Sequence, residues 1–389
     1  MMPVTPSQPP LISFLKEHRP AMLEVLERMV RIESPSFNRD SVNRCADYVA
    51  GVAESQGGRV KRHRSTDYGD HLQVDFGPSK GKRLLLLGHL DTVWDIGTLE
   101  RMPYRIADGR VWGPGVLDMK CGVTMMLFAL RALQATCQTL PRPVTLLLNS
   151  DEEVGSVTSR PLTEKLAKSA AAVLVLEPGT GLTGKLKTAR KGVGDYEVRV
   201  RGLASHAGVD FTKGVSATLE LARQIPRIAG FTRLTRGITV NAGVIGGGTR
   251  TNVVAEEAWA KVDIRIARLR DEAWLDRQFH SLRPYDKRAQ IEVTGGLNRP
   301  PMERSAGIVK LFRTAQKLAG ELGVNAEESL TGGGSDGNFT AALGIPTLDG
   351  LGGVGEGAHA INESILVDRI ADRTALIANR TGADVLNRA

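Results

Sequence analysis

The chain has 389 residues, 41% hydrophobic and 24% charged, which is enough apolar sequence for a large core divided between two domains and excludes disorder. Aromatic residues make up 5%, too few for a base-stacking nucleic-acid surface. The formal charge of +8 comes from scattered Lys and Arg, and short clusters such as Arg59 to Arg64 read as a solvated face, so the net field favours small anionic substrates over polyanions or membranes.

The segment from Met1 to Pro20 is rich in proline and is interrupted by Lys16, Glu17 and His18, which does not fit a signal peptide, and no later run is long enough to span a membrane. Cys45, Cys121 and Cys137 lie far apart and outside any CxxC pattern, which argues against a disulfide framework or a thiolate metal site. A cytoplasmic location is the expectation.

Continuous apolar runs at Arg83–Gly88, Val144–Asn149 and Ala172–Leu176 predict strands buried on both faces, with an amphipathic helix over Gly122–Ala135. From about Gly192 the pattern changes. Asp195–Val200 alternates with period two, followed by a helix (Val215–Ile228), strands at Ile238–Ile245 and Ala258–Ile264, a helix (Asp271–Leu282) and a strand (Gln290–Thr294). The order β-α-β-β-α-β is the ferredoxin-like signature. Asn298 to Pro301 reads as a linker before helix and strand alternation resumes. The expected organisation is an α/β domain in two parts, 1–188 and 299–389, interrupted by a smaller domain over 189–298.

Acids and histidines follow the apolar strands, where open α/β sheets bind ligands. His89 and Asp91 are two apart, so in extended backbone both point one way and Asp91 can hold the imidazole; alone, the pair fits a capped strand end better. Asp118 by itself fits a helix N-cap. Asp151, Glu152 and Glu153 repel one another, which either a cation or a solvated loop would relieve. Glu177 and His359 lie in two further segments, Leu176–Pro178 and Gly357–Glu363. Together these are cysteine-free nitrogen and oxygen donors that suit zinc, cobalt or manganese.

The five segments, in this order, resemble the two-zinc metallopeptidase family of glutamate carboxypeptidase, aminoacylase, acetylornithine deacetylase and succinyl-diaminopimelate desuccinylase, from about Leu23 to Leu386. The resemblance implies a zinc-peptidase-like α/β sandwich with an inserted ferredoxin-like lid or dimerisation domain. It implies two zinc ions per subunit, with cobalt or manganese as substitutes: His89 and Glu177 on one, Glu153 and His359 on the other, and Asp118 bridging both, its bond to Met119 being cis in the family. Asp91 would support His89, and Glu152 would be the general base acting on a metal-bridging hydroxide.

The same resemblance gives His206, in Ala204–Gly208, the role of an oxyanion donor reaching across a homodimer. Asn252 and Arg265 would hold a free α-carboxylate, for which a guanidinium fork is suited. Lys185, Arg299 and the glycine-rich loop with Gly333 and Gly334 match substrate-binding positions of the glutamate carboxypeptidase subgroup. That loop lacks a following Lys-Ser/Thr, so it is not a P-loop. The expected activity is cleavage of the amide bond of an N-acyl amino acid or peptide with a free α-carboxylate. The alternatives are a deacylase of the aminoacylase or acetylornithine deacetylase type, and a non-catalytic peptide-binding module, which a missing ligand or base would favour; none is missing.

Overall fold

In a computed structural model the protein is described over residues 10–137, 140 and 142–382. It divides into two compact units: one takes the described residues through Ala189, Arg304–Thr331 and those from Ser335 on, and the other takes Arg190–Glu303 with Gly332–Gly334. The second unit thus extends past residue 298, because its last strand, Gln290–Arg299, runs through that point.

The first unit is built on a six-stranded sheet in the order Arg59–His63, His71–Phe76, Val144–Asn149, Arg83–His89, Ala170–Val175 and Thr347–Leu348. The last four strands are mutually parallel. Side chains alternate across a strand, so an unbroken apolar run fills two cores at once. Leu84, Leu86, Leu146, Leu148 and Leu174 face one core with the helix Cys121–Cys137. Leu85, Leu87, Leu147, Val173 and Val175 face the other, beneath Leu166 and Ala167 of the helix Arg160–Lys168. Parallel strands end on one edge, so the residues after His89, Asn149 and Val175 emerge together.

A small antiparallel sheet was not foreseen. It has the order Gly355–Glu356, Ser364–Leu366, Arg110–Trp112 and Arg105–Ala107, with Ser364 opposite Trp112. Its first hairpin carries the loop 357–363, and the strand Arg110–Trp112 leads directly into Gly113–Asp118. Pairing Ser364 with Trp112 therefore brings these two loops side by side.

The second unit is a four-stranded antiparallel sheet in the order Thr239–Gly247, Glu257–Ile266, Gly192–Arg201 and Gln290–Arg299. Helices Ala217–Ala229 and Glu272–His280 cover one face. Tyr196, Val198 and Val200 alternate inward against Leu221, Ile228, Leu275 and Phe279. This is the ferredoxin-like order expected from the alternating pattern. Among the described residues no helix is long and apolar enough to cross a membrane, and Cys45 and Cys121 are buried free thiols.

Candidate metal centre

The edge where the parallel strands end gathers two histidines and four carboxylates. Asp118 stands between the histidines: its Oδ1 is 3.3 Å from His89 Nε2 and its Oδ2 is 3.4 Å from His359 Nε2. Glu177 Oε1 lies 3.5 Å from His89 Nε2, and Glu153 Oε2 lies 3.4 Å from His359 Nε2. Glu152 also falls within 4.8 Å of donor atoms of His89 and Glu177. The five expected ligands and the expected base thus come together, sorted around Asp118 as two overlapping sets.

Three observations test whether divalent ions fit. A tetrahedral zinc with bonds of ~2.0–2.1 Å holds its ligand atoms about 3.3–3.4 Å apart, which is close to the spacing found across both sets. Glu153 Oε1 is buried and makes no hydrogen bond within the protein, and such an atom is costly unless a cation or donor meets it. The carboxylates of the cluster also favour positive charge among them. Burial opposes charge on His89, yet Asp118, Asp91 and Glu177 push its imidazole well above the usual range. Asp118 and Glu153 push His359 up to about 10. Burial would raise Asp118, but hydrogen bonds from His359 and His89 hold its carboxyl well below the usual range. Burial pushes Glu153 up to about 7 against the pull of His359. A carboxylate-rich set of this kind, with imidazoles and no thiolate, fits the hard to borderline cations.

Asp91 meets His89 through both its main chain and its carboxylate. His89 Nδ1 hydrogen-bonds the backbone carbonyl of Asp91 at 2.9 Å, while the Asp91 carboxylate is 3.4 Å away. The carboxylate also accepts from Ser36 Oγ and from the amides of Glu152 and Glu153. The acid thus links the His89 ring to the turn that carries Glu152 and Glu153.

The Asp118–Met119 peptide is cis. Glu177 is brought to the cluster by a close approach, since a Cβ on Gly122 would fall 2.1 Å from the Leu176 carbonyl oxygen and one on Gly352 would fall 2.0 Å from it. Arg373, buried behind this loop, donates to the carbonyls of Gly184, Gly350 and Gly352. Nothing in the sequence singled it out.

The remaining predicted residues are distributed as follows. Lys185 lies in the first unit and pairs with Glu327 at 2.7 Å. His206, Asn252, Arg265, Arg299, Gly333 and Gly334 belong to the second. His206 is exposed, and its Nδ1 accepts from the amides of Gly208 and Val209, so the neutral ring carries its proton on Nε2 and offers a donor there. The amide of Ala207 donates to the Asn252 carbonyl, which ties the His206 and Asn252 loops together. Arg265 is not a free fork: its guanidinium is held by Asp263 and also donates to the Gly332 carbonyl. Gly333 and Gly334 turn their carbonyls to Arg190, a residue the sequence reading missed. Arg299 is buried, with Gly334 so close that a Cβ there would fall 3.0 Å from its Cδ.

The fold and site define a metal-dependent hydrolase, and comparison with known proteins agrees. Residues 85–380 match the model of peptidase family M20/M25/M40. The chain is 30% identical over 355 residues to carboxypeptidase G2 of Pseudomonas sp. (strain RS-16), covering 88% of this chain and 84% of that one. It is 30% identical over 253 residues to an acetylornithine deacetylase of Myxococcus xanthus, covering 60% and 64%. A tripeptidase of Staphylococcus aureus has the same fold, with a TM-score of 0.78 at 21% identity, over 94% of this chain and 98% of that one. The chain belongs to peptidase family M20/M25/M40, a family of dinuclear zinc metallopeptidases. It is a metal-dependent hydrolase acting on a peptide or amino acid derivative.

Proposed function

We propose that the protein is a glutamate carboxypeptidase-like amidohydrolase that cleaves the amide bond of an N-acyl amino acid or peptide bearing a free α-carboxylate. The observation that carries the chemistry is Asp118 standing between His89 and His359 with Glu152 beside them. His89 and Glu177 would hold one zinc, Glu153 and His359 the other, with Asp118 shared between them. Zinc bound there would polarise the amide carbonyl and acidify water. Glu152 takes the proton from the attacking water and returns it to the leaving amine. The Asp91 carboxylate holds the backbone of Glu152 while it does so. His206, with its proton on Nε2, donates to the oxyanion that forms as the carbonyl is attacked.

The likeness to carboxypeptidase G2 over most of both chains supports the substrate class. Arg265 and Asn252 would bind the α-carboxylate, Arg265 exchanging its contact with Asp263 for the substrate. Lys185, Arg299 and the Gly333–Gly334 backbone would meet the rest of an anionic substrate. A deacylase is the second reading, supported by the acetylornithine deacetylase relative; the same metal centre would cut either amide. Screening the zinc-loaded protein against N-acyl amino acids, varying first the acyl group and then the leaving amino acid, separates them. Preference governed by the amino acid released supports the carboxypeptidase reading, and preference governed by a small acyl group overturns it.

The proposal includes a cytoplasmic homodimer in which His206 serves the partner's site. Thr239–Gly247 is an edge strand whose Val244 and Ile245 are exposed, a surface suited to pairing. A purely monomeric species in sedimentation at working concentration would remove the dimer.

A further inference from the structure

The loop that carries His359 ends in Glu363, a carboxylate to which the chemistry above gives no part. Glu363 is fully buried. Its Oε1 accepts the amides of Leu117 and Asp118 at 2.9 and 3.0 Å, and its Oε2 accepts the amide of Gly115 at 2.9 Å and Trp94 Nε1 at 2.8 Å. Both oxygens are thus saturated by N–H donors, three of them from the segment that presents Asp118. Lys120 holds the far end of that segment, donating from Nζ to the carbonyls of Met29 and Ile32 at the end of the helix Arg19–Arg31.

We propose that Glu363 is a positioning residue that sets the spacing of the two metal sites, by fastening the His359 loop to the Asp118 segment. The proposal rests on the reading of Asp118 and His359 as metal ligands. Asp118 offers one oxygen to each site, so a small rotation of its backbone improves one contact at the expense of the other. Three N–H donors converging on one rigid carboxylate remove that rotation, and the carboxylate is four residues from His359. A general packing role would require only an apolar filler here. Four convergent donors require an acceptor with two negative oxygens, which an amide does not supply, because its NH2 would face two N–H groups.

The test compares Glu363→Gln, Trp94→Phe and His359→Ala with the wild type. Each apoprotein is titrated with cobalt while the visible absorption of the bound ion is followed, and its thermal midpoint is measured without metal. Residues that orient metal ligands typically contribute 10- to 100-fold in affinity. Glu363→Gln is expected to lose cobalt affinity by about that factor and to change the cobalt spectrum, since the ligand geometry shifts. Trp94→Phe removes one donor and leaves the carboxylate, so it should fold normally and weaken cobalt binding by a smaller factor. It decides the matter if Glu363→Gln does not fold. Wild-type affinity and spectrum in Glu363→Gln, or in Trp94→Phe when that is the only folded variant, overturns the role of Glu363 while His359→Ala still loses metal. Full metal binding by His359→Ala overturns the ligand reading itself, and this role with it.

Discussion

Asp91 accepts the backbone N–H of Glu153 at 3.1 Å, which fixes Glu153, beside His359, to the acid that lies against His89. The same carboxylate accepts the N–H of Glu152 and the hydroxyl of Ser36. Asp91→Ala would leave these donors buried without a partner, at ~1–3 kcal/mol for each group left unsatisfied. The variant should melt lower and bind zinc about 10- to 100-fold more weakly, with Asp91→Asn between it and the wild type. Thermal melting and metal titration check this, and an alanine variant with unchanged affinity would show that the turn is held by other contacts.

Glu152 and Glu153 are adjacent but are assigned different work. Glu152→Gln should keep its metal and lose most of its turnover, whereas Glu153→Ala should lose metal as well. Metal content and rate are measured on the same preparations. Normal turnover with full metal in Glu152→Gln removes it as the base.

Gly122 lies where a Cβ would meet the Leu176 carbonyl at 2.1 Å, one residue before Glu177. Gly122→Ala must therefore move backbone, not just a side-chain tip, at a cost of ~1–3 kcal/mol. A lower melting temperature together with reduced zinc content is expected. Wild-type values in both would mean that the Glu177 loop yields freely.

Much of this was legible in the sequence. The runs Arg83–Gly88 and Val144–Asn149 could be placed because strands buried on both faces leave no polar positions, and the second unit could be read from the alternation in Asp195–Val200. His89, Glu152, Glu153 and Glu177 were visible because each follows an apolar run. The small sheet that seats the His359 loop beside Asp118 was not visible, since its strands are two or three residues long and carry no periodicity. Arg190 and Arg373 were missed for a related reason: their partners are backbone carbonyls, which leave no trace in side-chain identity.

Arg265 makes two hydrogen bonds to Asp263 Oδ2 and one to Oδ1, so a substrate carboxylate must compete with a neighbour already in place. Replacing the substrate's α-carboxylate by an amide should lower kcat/KM, but by less than the ~2–5 kcal/mol of a desolvated pair, because Arg265 then keeps its contact with Asp263. Arg265→Lys should also fall well below the wild type, because an ammonium cannot reproduce the planar fork. Equal kcat/KM for an N-acyl glutamate and its α-amide would show that the carboxylate is not recognised there.

In the proposed function, two ions held around Asp118 drive amide hydrolysis next to a free α-carboxylate. The most direct measurement is a zinc titration of the metal-free protein with an N-acyl glutamate as substrate, following hydrolysis at each addition. Turnover should be absent without metal, rise until it levels off at two equivalents per chain, and be lost when a chelator is added. Full turnover in the presence of excess chelator, or a plateau at a single equivalent, would contradict it.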